Sequence, residues 1–169
     1  MRRLFLALWP DTATRKQLQI INAQLNVSAM RPVLPCNLHV TLVFIGSVDA
    51  KLQTDIEQVC DGLNAGPFTM QFNQLEYWPK PRILCLTSNN PPRTVSALAG
   101  ELSARIKSLG VTTDRRVYQP HITLARHANG RQALEFAPLF WYADAFCLVE
   151  SLSTTQGVLY KVITRWPFS

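Results

Sequence analysis

A four-residue pattern occurs twice in this chain, as His39-Val40-Thr41-Leu42 and as His121-Ile122-Thr123-Leu124. The chain has three histidines, and two of them belong to this repeat. Successive side chains of a β-strand point to opposite faces, so the His and the Thr of each copy share one face of a strand. The apolar residues between them then point into the core. Each copy therefore predicts a strand that presents one imidazole and one hydroxyl together.

Two such strands facing each other across a groove would surround a small anion with an acid, a base and two hydroxyl donors. Imidazole suits both proton-transfer roles because its unperturbed pKa is about 6.5. A phosphodiester is the anion that best fits this set of groups, with the hydroxyls of Thr41 and Thr123 donating to its non-bridging oxygens. We take His121 as the base that activates water and His39 as the acid that protonates the leaving oxygen. The reverse assignment stays open.

The duplicated motif resembles the signature of the 2H phosphoesterase superfamily, which is named for two His-x-Thr-x motifs. Within this superfamily, the chain most resembles the bacterial RNA 2′,3′-cyclic phosphodiesterases, also called 2′-5′ RNA ligases. The resemblance covers nearly the whole chain. It is carried by both motifs and by segments flanking them, namely Arg3 to Leu8, Arg31-Pro32-Val33, Asn37 to Gly46, Pro120 to Arg126, and Tyr160 with Arg165-Trp166.

This resemblance implies an α+β fold with two pseudo-symmetric lobes, in which two antiparallel sheets flank a central groove and helices lie outside. Residues 1–169 would form a single domain with one motif in each lobe. The implied activity is hydrolysis of a terminal 2′,3′-cyclic phosphate to a 2′-phosphomonoester without a metal or other cofactor. The same site run backwards would join RNA ends through a 2′-5′ linkage.

Three other functions remain in competition with this one. The same chemistry could act on small cyclic nucleotides or 2′-5′ oligonucleotides, and a protein of another class would bind RNA or nucleotides without turnover. Intact His and Thr in both motifs argue against the binding module. A metal hydrolase is disfavoured, since the acidic residues show no ligand spacing such as H-E-x-x-H.

Arg126 is a candidate phosphate-binding residue because its position matches an Arg in the resembling bacterial sequences. On a regular strand Arg126 would point away from the face shared by His121 and Thr123. The role therefore requires a twist or a bulge in the strand. The alternative is a solvated surface arginine, and the remaining histidine, His127, is predicted to be a loop residue.

Four further residues are candidates for contact with the substrate. Nucleobases stack on aromatic side chains with little sequence preference, which makes Phe5, Tyr118 and Tyr160 candidates. Arg116 lies shortly before the second motif and could reach the same substrate. For the aromatic residues the alternative is an ordinary place in the core.

Charge and cysteine content agree with a cytoplasmic protein that binds a polyanion. Lys and Arg number 17 against 11 Asp and Glu, which gives a net charge of +6 and a pI near 9.5. This balance favours an RNA or oligonucleotide partner. The four cysteines form no C-x-x-C pair and are predicted to be reduced thiols. The first apolar run stops at Pro10-Asp11, so we expect neither a leader nor a membrane segment. We also expect the protein to be a monomer.

Hydrophobic periodicity predicts an alternation of strands and helices. Helix, short link and motif strand recur in both halves, which indicates an internal duplication. The predicted strands are 3–9, 38–45 closed by Gly46, 68–78, 83–87, the second motif, 141–150 and 158–166. The predicted helices begin at Asp11 or Thr12, at Asp49 and near Val95, and the third is stopped by Gly110.

Overall fold

A computed structural model describes residues 1–26, 28, 30–155 and 157–169. In chain order the strands are β1 (Arg2–Leu8), β2 (Arg31–Pro32), β3 (Val40–Val48), β4 (Phe68–Phe72), β5 (Gln74–Trp78), β6 (Ile83–Thr87), β7 (Ile122–Arg126), β8 (Leu139–Ala143), β9 (Ala145–Thr154) and β10 (Gly157–Pro167). The helices are α1 (Thr12–Ala23), α2 (Ala50–Asp61) and α3 (Arg93–Ser108), with a 3-10 turn at Pro35–Asn37.

The strands form one large and one small antiparallel sheet. The large sheet has the order β10-β9-β1-β3-β7-β6-β5, with β2 paired to β7, and β4 pairs with β8 in the small sheet. The α+β class with antiparallel sheets is thus confirmed. Both motif strands, β3 and β7, lie side by side at the centre of the large sheet.

The large sheet has two halves, the first made of β10, β9, β1 and β3 and the second of β7, β6, β5 and β2. They join through one register pair, Val40 opposite Ile122. These are the second residues of the two motifs, so equivalent residues face each other across antiparallel strands. A local two-fold axis must therefore pass between them. The same register sets His39 beside the position of Thr123 and His121 beside the position of Thr41.

Alternation of side chains gives the large sheet two different faces. On β1, Leu4, Leu6 and Leu8 are buried in the main core together with the inner faces of the helices and of the small sheet. Phe5 and Ala7 point the other way and join a smaller cluster with neighbouring strands. That second face carries the motif His and Thr residues, and we call it the motif face.

The first two helices begin where the sequence predicts, and an aspartate caps the N-terminus of each. The Asp11 carboxylate accepts a hydrogen bond from the Thr14 amide at 2.7 Å, and Asp49 accepts one from the Leu52 amide at 2.8 Å. Such caps satisfy amides that have no partner inside the helix. The prediction that Gly46 closes the first motif strand is wrong, because β3 continues through Gly46, at φ 95°, to Val48.

Two predicted long strands are each divided by one polar residue. The run 68–78 breaks at Asn73 and the run 141–150 breaks at Asp144, so β4 and β8 leave the large sheet and pair with each other. At the first break, the Asn73 side chain donates to the Asn89 side chain and accepts from the Asn89 backbone amide. Strands β5 and β6 pair as a hairpin, with Trp78 opposite Ile83.

Among the described residues, no helix is long and apolar enough to cross a membrane. The four cysteines are free thiols, and Cys60, Cys85 and Cys147 are buried.

Candidate active site

Both motif histidines are oriented by the same backbone contact. His39 Nδ1 lies 2.6 Å from the carbonyl oxygen of Asn37, and His121 Nδ1 lies 2.9 Å from that of Gln119. A carbonyl oxygen only accepts, so Nδ1 must carry the hydrogen in each ring. In a neutral ring Nε2 then holds the free lone pair. Each half of the sheet therefore presents Nε2 for proton transfer.

Both motif strands contain a β-bulge at the same motif position. Between β1 and β3 the pairing passes from Ala7–Thr41 to Leu6–Val43, which leaves Leu42 without a partner. Between β6 and β7 it passes from Cys85–Thr123 to Leu84–Ala125, which leaves out Leu124. An extra residue resets the alternation of side chains beyond it.

The second bulge returns Arg126 to the motif face. Arg126 pairs with Ile83 and Thr123 pairs with Cys85, and these two β6 residues share one face because they are two apart. The guanidinium lies near enough for its charge to lower the pKa of both His39 and His121. Its predicted place beside the motif therefore depends on a bulge that strand periodicity alone does not reveal.

Phe44 is the counterpart of Arg126 in the first half, and the sequence analysis missed it. Both residues follow their motif histidine by the same interval and both lie beyond a bulge. Phe44 pairs with Phe5, is 59% exposed and has its ring 6.4 Å from that of Phe5. Superposing the two motif segments in the sequence would have found this residue.

Aromatic rings surround His39. The ring of Trp9 is stacked on it at 5.6 Å between centroids, Phe5 lies at 5.0 Å, and the Tyr160 ring stands edge-on at 5.1 Å. Burial lowers the pKa of His39 to about 4, against the opposing effect of the Asn37 carbonyl. In the protein without a ligand, His39 is therefore neutral at pH 7.

His121 has more polar surroundings. Trp78 contacts its ring at 4.5 Å between centroids, and Trp78 in turn donates to a carboxylate oxygen of Glu76 at 2.7 Å. Burial lowers the pKa of His121 as well, while the Gln119 carbonyl and the charge of Glu76 raise it. The fall is larger at His39, so His121 is the more basic ring of the two.

The two motif threonines are also not equivalent. The Thr41 hydroxyl lies 2.9 Å from Nε2 of His39, to which it donates when that ring is neutral. Among the described residues, no hydrogen bond reaches the Thr123 hydroxyl or Nε2 of His121. Both threonines are half-buried, so a ligand on the motif face can contact them.

The four candidate substrate residues all lie around the motifs. Tyr118 donates to the backbone oxygen of Thr41 at 3.0 Å, so its hydroxyl links the two halves, and burial raises its pKa. Arg116 is exposed and pairs with Asp114, and its charge lowers the pKa of His121. Phe5, which is 4% exposed, and half-buried Tyr160 pack against His39.

Asn37 holds the His39 segment in place, a role that the sequence did not reveal. Its buried side chain donates to the Val158 carbonyl at 2.7 Å and accepts from the Tyr160 amide at 3.0 Å. Its own backbone oxygen orients His39. Asn37 therefore couples the first imidazole to strand β10.

Known proteins resemble this chain in sequence and in fold. A sequence model of the 2′-5′ RNA ligase superfamily matches residues 10–155. The chain belongs to this superfamily. An RNA 2′,3′-cyclic phosphodiesterase of Escherichia coli is 29% identical over 168 residues, which are 98% of this chain and 96% of the relative. One of Archaeoglobus fulgidus is also 29% identical, over 94% of this chain and 96% of the relative.

Solved structures agree with the sequence comparison. The crystal structure of E. coli LigT in its apo form has a TM-score of 0.89 and 28% identity over 99% of this chain and 98% of that chain. LigT complexed with 3′-AMP has a TM-score of 0.90 at the same identity and coverage. The resemblance inferred from the duplicated motif is therefore confirmed.

Proposed function

We propose that this protein hydrolyses a terminal 2′,3′-cyclic phosphate of RNA to a 2′-phosphomonoester by acid and base catalysis with His39 and His121. The pairing of Val40 with Ile122 carries the proposal, because it arranges two imidazoles and two hydroxyls about one local two-fold axis. The named activity of the E. coli and A. fulgidus relatives supports the same reaction.

Phosphoryl transfer places the attacking and the leaving oxygen on opposite sides of phosphorus. A base is needed on one side and an acid on the other, and the motifs contribute one imidazole from each strand. Water attacks phosphorus, the bond to the 3′ oxygen breaks, one imidazole takes the water proton and the other protonates the leaving oxygen. The strained five-membered ring makes this opening easier than cleavage of a linear diester.

We assign the base to His121 and the acid to His39. Nε2 of His121 has no hydrogen-bond partner among the described residues and can hold a water molecule, whereas Nε2 of His39 is already bonded to Thr41. His121 is the more basic ring, and protonated His39 is the stronger acid. A phosphate anion beside His39 would offset the burial that keeps this ring neutral before substrate binds.

The remaining groups of the motif face suit the phosphate and the nucleoside. Thr41, Thr123 and Arg126 would bind the non-bridging oxygens, where negative charge accumulates. The exposed ring of Phe44 would stack on a nucleobase. An RNA substrate agrees with the net charge of +6. Free thiols agree with a cytoplasmic location. We further propose that the protein acts as a monomer.

The test is the product formed from an oligonucleotide that ends in a 2′,3′-cyclic phosphate, after treatment of the protein with EDTA. We expect a 2′-phosphomonoester, from which a phosphatase specific for 3′-monophosphates releases nothing and an unspecific one releases phosphate. Release by the specific enzyme would contradict the proposed orientation. Loss of activity in EDTA that a divalent ion restores would contradict the metal-free mechanism.

A second assay tests RNA as the substrate against small cyclic nucleotides. A cyclic mononucleotide and a cyclic-ended oligonucleotide are compared at low and high salt. An RNA site should gain kcat/KM from the additional phosphates and lose that gain in salt. Equal values for both substrates at low salt would favour the small nucleotides.

A further inference from the structure

Glu76 and Trp78 lie on the motif face beside the second histidine, although they are far from it in sequence. Glu76 pairs with Cys85, and Cys85 pairs with Thr123, so these three side chains share one face across β5, β6 and β7. Trp78, two residues further along β5, shares that face. The strand register therefore brings a carboxylate and an indole next to the catalytic motif.

A hydrogen bond fixes the indole against the imidazole. The indole nitrogen of Trp78 donates to Glu76 Oε2 at 2.7 Å, and the Trp78 ring lies 4.5 Å from the His121 ring at an interplanar angle of 51°. An indole N–H bonded to a carboxylate is a charge-assisted contact and holds the ring firmly. The face of an electron-rich indole stabilises a neighbouring cation.

Glu76 is the acidic residue among the charged groups that act on His121. Arg126 from β7, Arg116 from the preceding segment and His39 from the first motif are basic, and both arginines disfavour the imidazolium. Glu76 from β5 favours it. When His121 takes a proton from water it becomes positively charged, and the Glu76 carboxylate compensates this charge.

We propose that Glu76 is a positioning residue that acts on His121 through the indole of Trp78 and makes this imidazole a stronger base. The inference rests on the proposed hydrolysis for its effect on rate. When His121 takes a proton from the attacking water, the carboxylate and the indole face stabilise the imidazolium. In the first half, His39 is surrounded by Phe5, Trp9 and Tyr160 instead, which suits a group that must give its proton away.

The variant Glu76→Gln keeps an oxygen acceptor for the Trp78 indole and removes the charge. The variant Trp78→Phe keeps an aromatic ring and removes the N–H donor. Glu135→Gln is the matched control, since Glu135 is exposed and lies outside the strands, and it makes the same change in net charge. Each full-length variant is checked for folding by circular dichroism and thermal unfolding.

The readouts are the pH dependence of kcat/KM, the separate kcat and KM values, and the pKa of His121 followed by NMR. For Glu76→Gln we expect the pKa of His121 to fall by about half a unit or more and kcat at neutral pH to fall about 3- to 10-fold, with little change in KM. Trp78→Phe should lower kcat in the same direction, and Glu135→Gln should match the wild type.

A Glu76→Gln protein with an unchanged His121 pKa and an unchanged kcat would overturn the inference. So would an effect confined to KM, or one that Glu135→Gln reproduces. If Glu76→Gln does not fold, Trp78→Phe decides by the same readouts. The NMR titration needs no turnover, so it distinguishes failure of this inference from failure of the proposed hydrolysis, which would instead appear as an inactive wild type.

Discussion

The two halves of the large sheet share a motif, a bulge and a histidine orientation, but they differ in what surrounds the imidazole. In the first half, aromatic rings enclose His39 and an exposed Phe44 stands beyond the bulge. In the second, Trp78 and Glu76 lie beside His121, and Arg126 takes the place of Phe44. The backbone repeats while the side-chain environment does not.

This difference explains how a duplicated motif can give two different proton-transfer groups. The pairing of Val40 with Ile122 provides two equivalent positions. The surroundings then separate the two pKa values, so the two imidazoles are no longer interchangeable as proton donor and acceptor. Substitutions in each half can show whether the two histidines do separate work.

The largest expected effect is the loss of either motif histidine. His39→Ala and His121→Ala should each lower kcat by about 10² to 10⁴, and the double variant should be little worse than the poorer single one, because the two groups act in one step. His127→Ala, which alters the exposed third histidine, is the control. A folded single variant within a few-fold of the wild type would remove that histidine from the mechanism.

The motif threonines should give the next largest losses. Thr41→Val and Thr123→Val keep the side-chain shape and delete the hydroxyl, so each should lower kcat by about 10- to 10²-fold. The loss should be greater at Thr41, since its hydroxyl also holds Nε2 of His39. Steady-state kinetics on a cyclic-ended oligonucleotide measure both. Full activity of both variants would exclude the proposed oxyanion contacts.

Arg126 and Phe44 occupy equivalent positions, so their substitutions separate phosphate binding from base stacking. Arg126→Gln should lower kcat/KM about 10-fold or more on every cyclic phosphate, including a cyclic phosphate without a base. Phe44→Leu should raise KM a few-fold for nucleotides alone, as expected for lost stacking. The proposed separation would be contradicted if both variants lost kcat/KM equally on substrates with and without a base.

The pH profile gives the smallest and most graded effect. Since the pKa of each histidine is lowered, the form with one proton on the pair is most populated on the acid side of about 6.5, and the bell-shaped kcat/KM should peak there. By NMR, His39 should titrate near its lowered pKa of about 4 and His121 above it. A peak above pH 7, or His121 titrating first as the pH rises, would contradict the described environments.

The sequence predicted the features that follow from strand periodicity. Alternation placed His39 with Thr41 and His121 with Thr123, and capping chemistry located the first turns of α1 and α2. Periodicity could not show the bulges at Leu42 and Leu124, because each is set by pairing with a strand distant in sequence. For the same reason it did not show the departure of β4 and β8 from the large sheet at Asn73 and Asp144.

The residues that surround the two histidines also could not be predicted from the sequence. Glu76 and Trp78 reach His121 across β6, and Asn37 reaches β10, so each contact requires the sheet order. The sequence did contain one signal for Phe44, namely the equal spacing of Phe44 and Arg126 from their motif histidines. Repeats in a sequence are therefore informative beyond the matching residues, at the positions where the copies differ.

The most direct test of the division of work uses a substrate with sulfur in place of the 3′ bridging oxygen. A thiolate leaves without protonation, so the substitution removes the need for the acid and keeps the need for the base. We expect His39→Ala to be severely impaired on the oxygen substrate and within about 10-fold of wild type on the sulfur substrate, while His121→Ala stays impaired on both. Rescue of His121→Ala instead of His39→Ala would reverse the assignment, and rescue of neither would contradict acid catalysis by this pair.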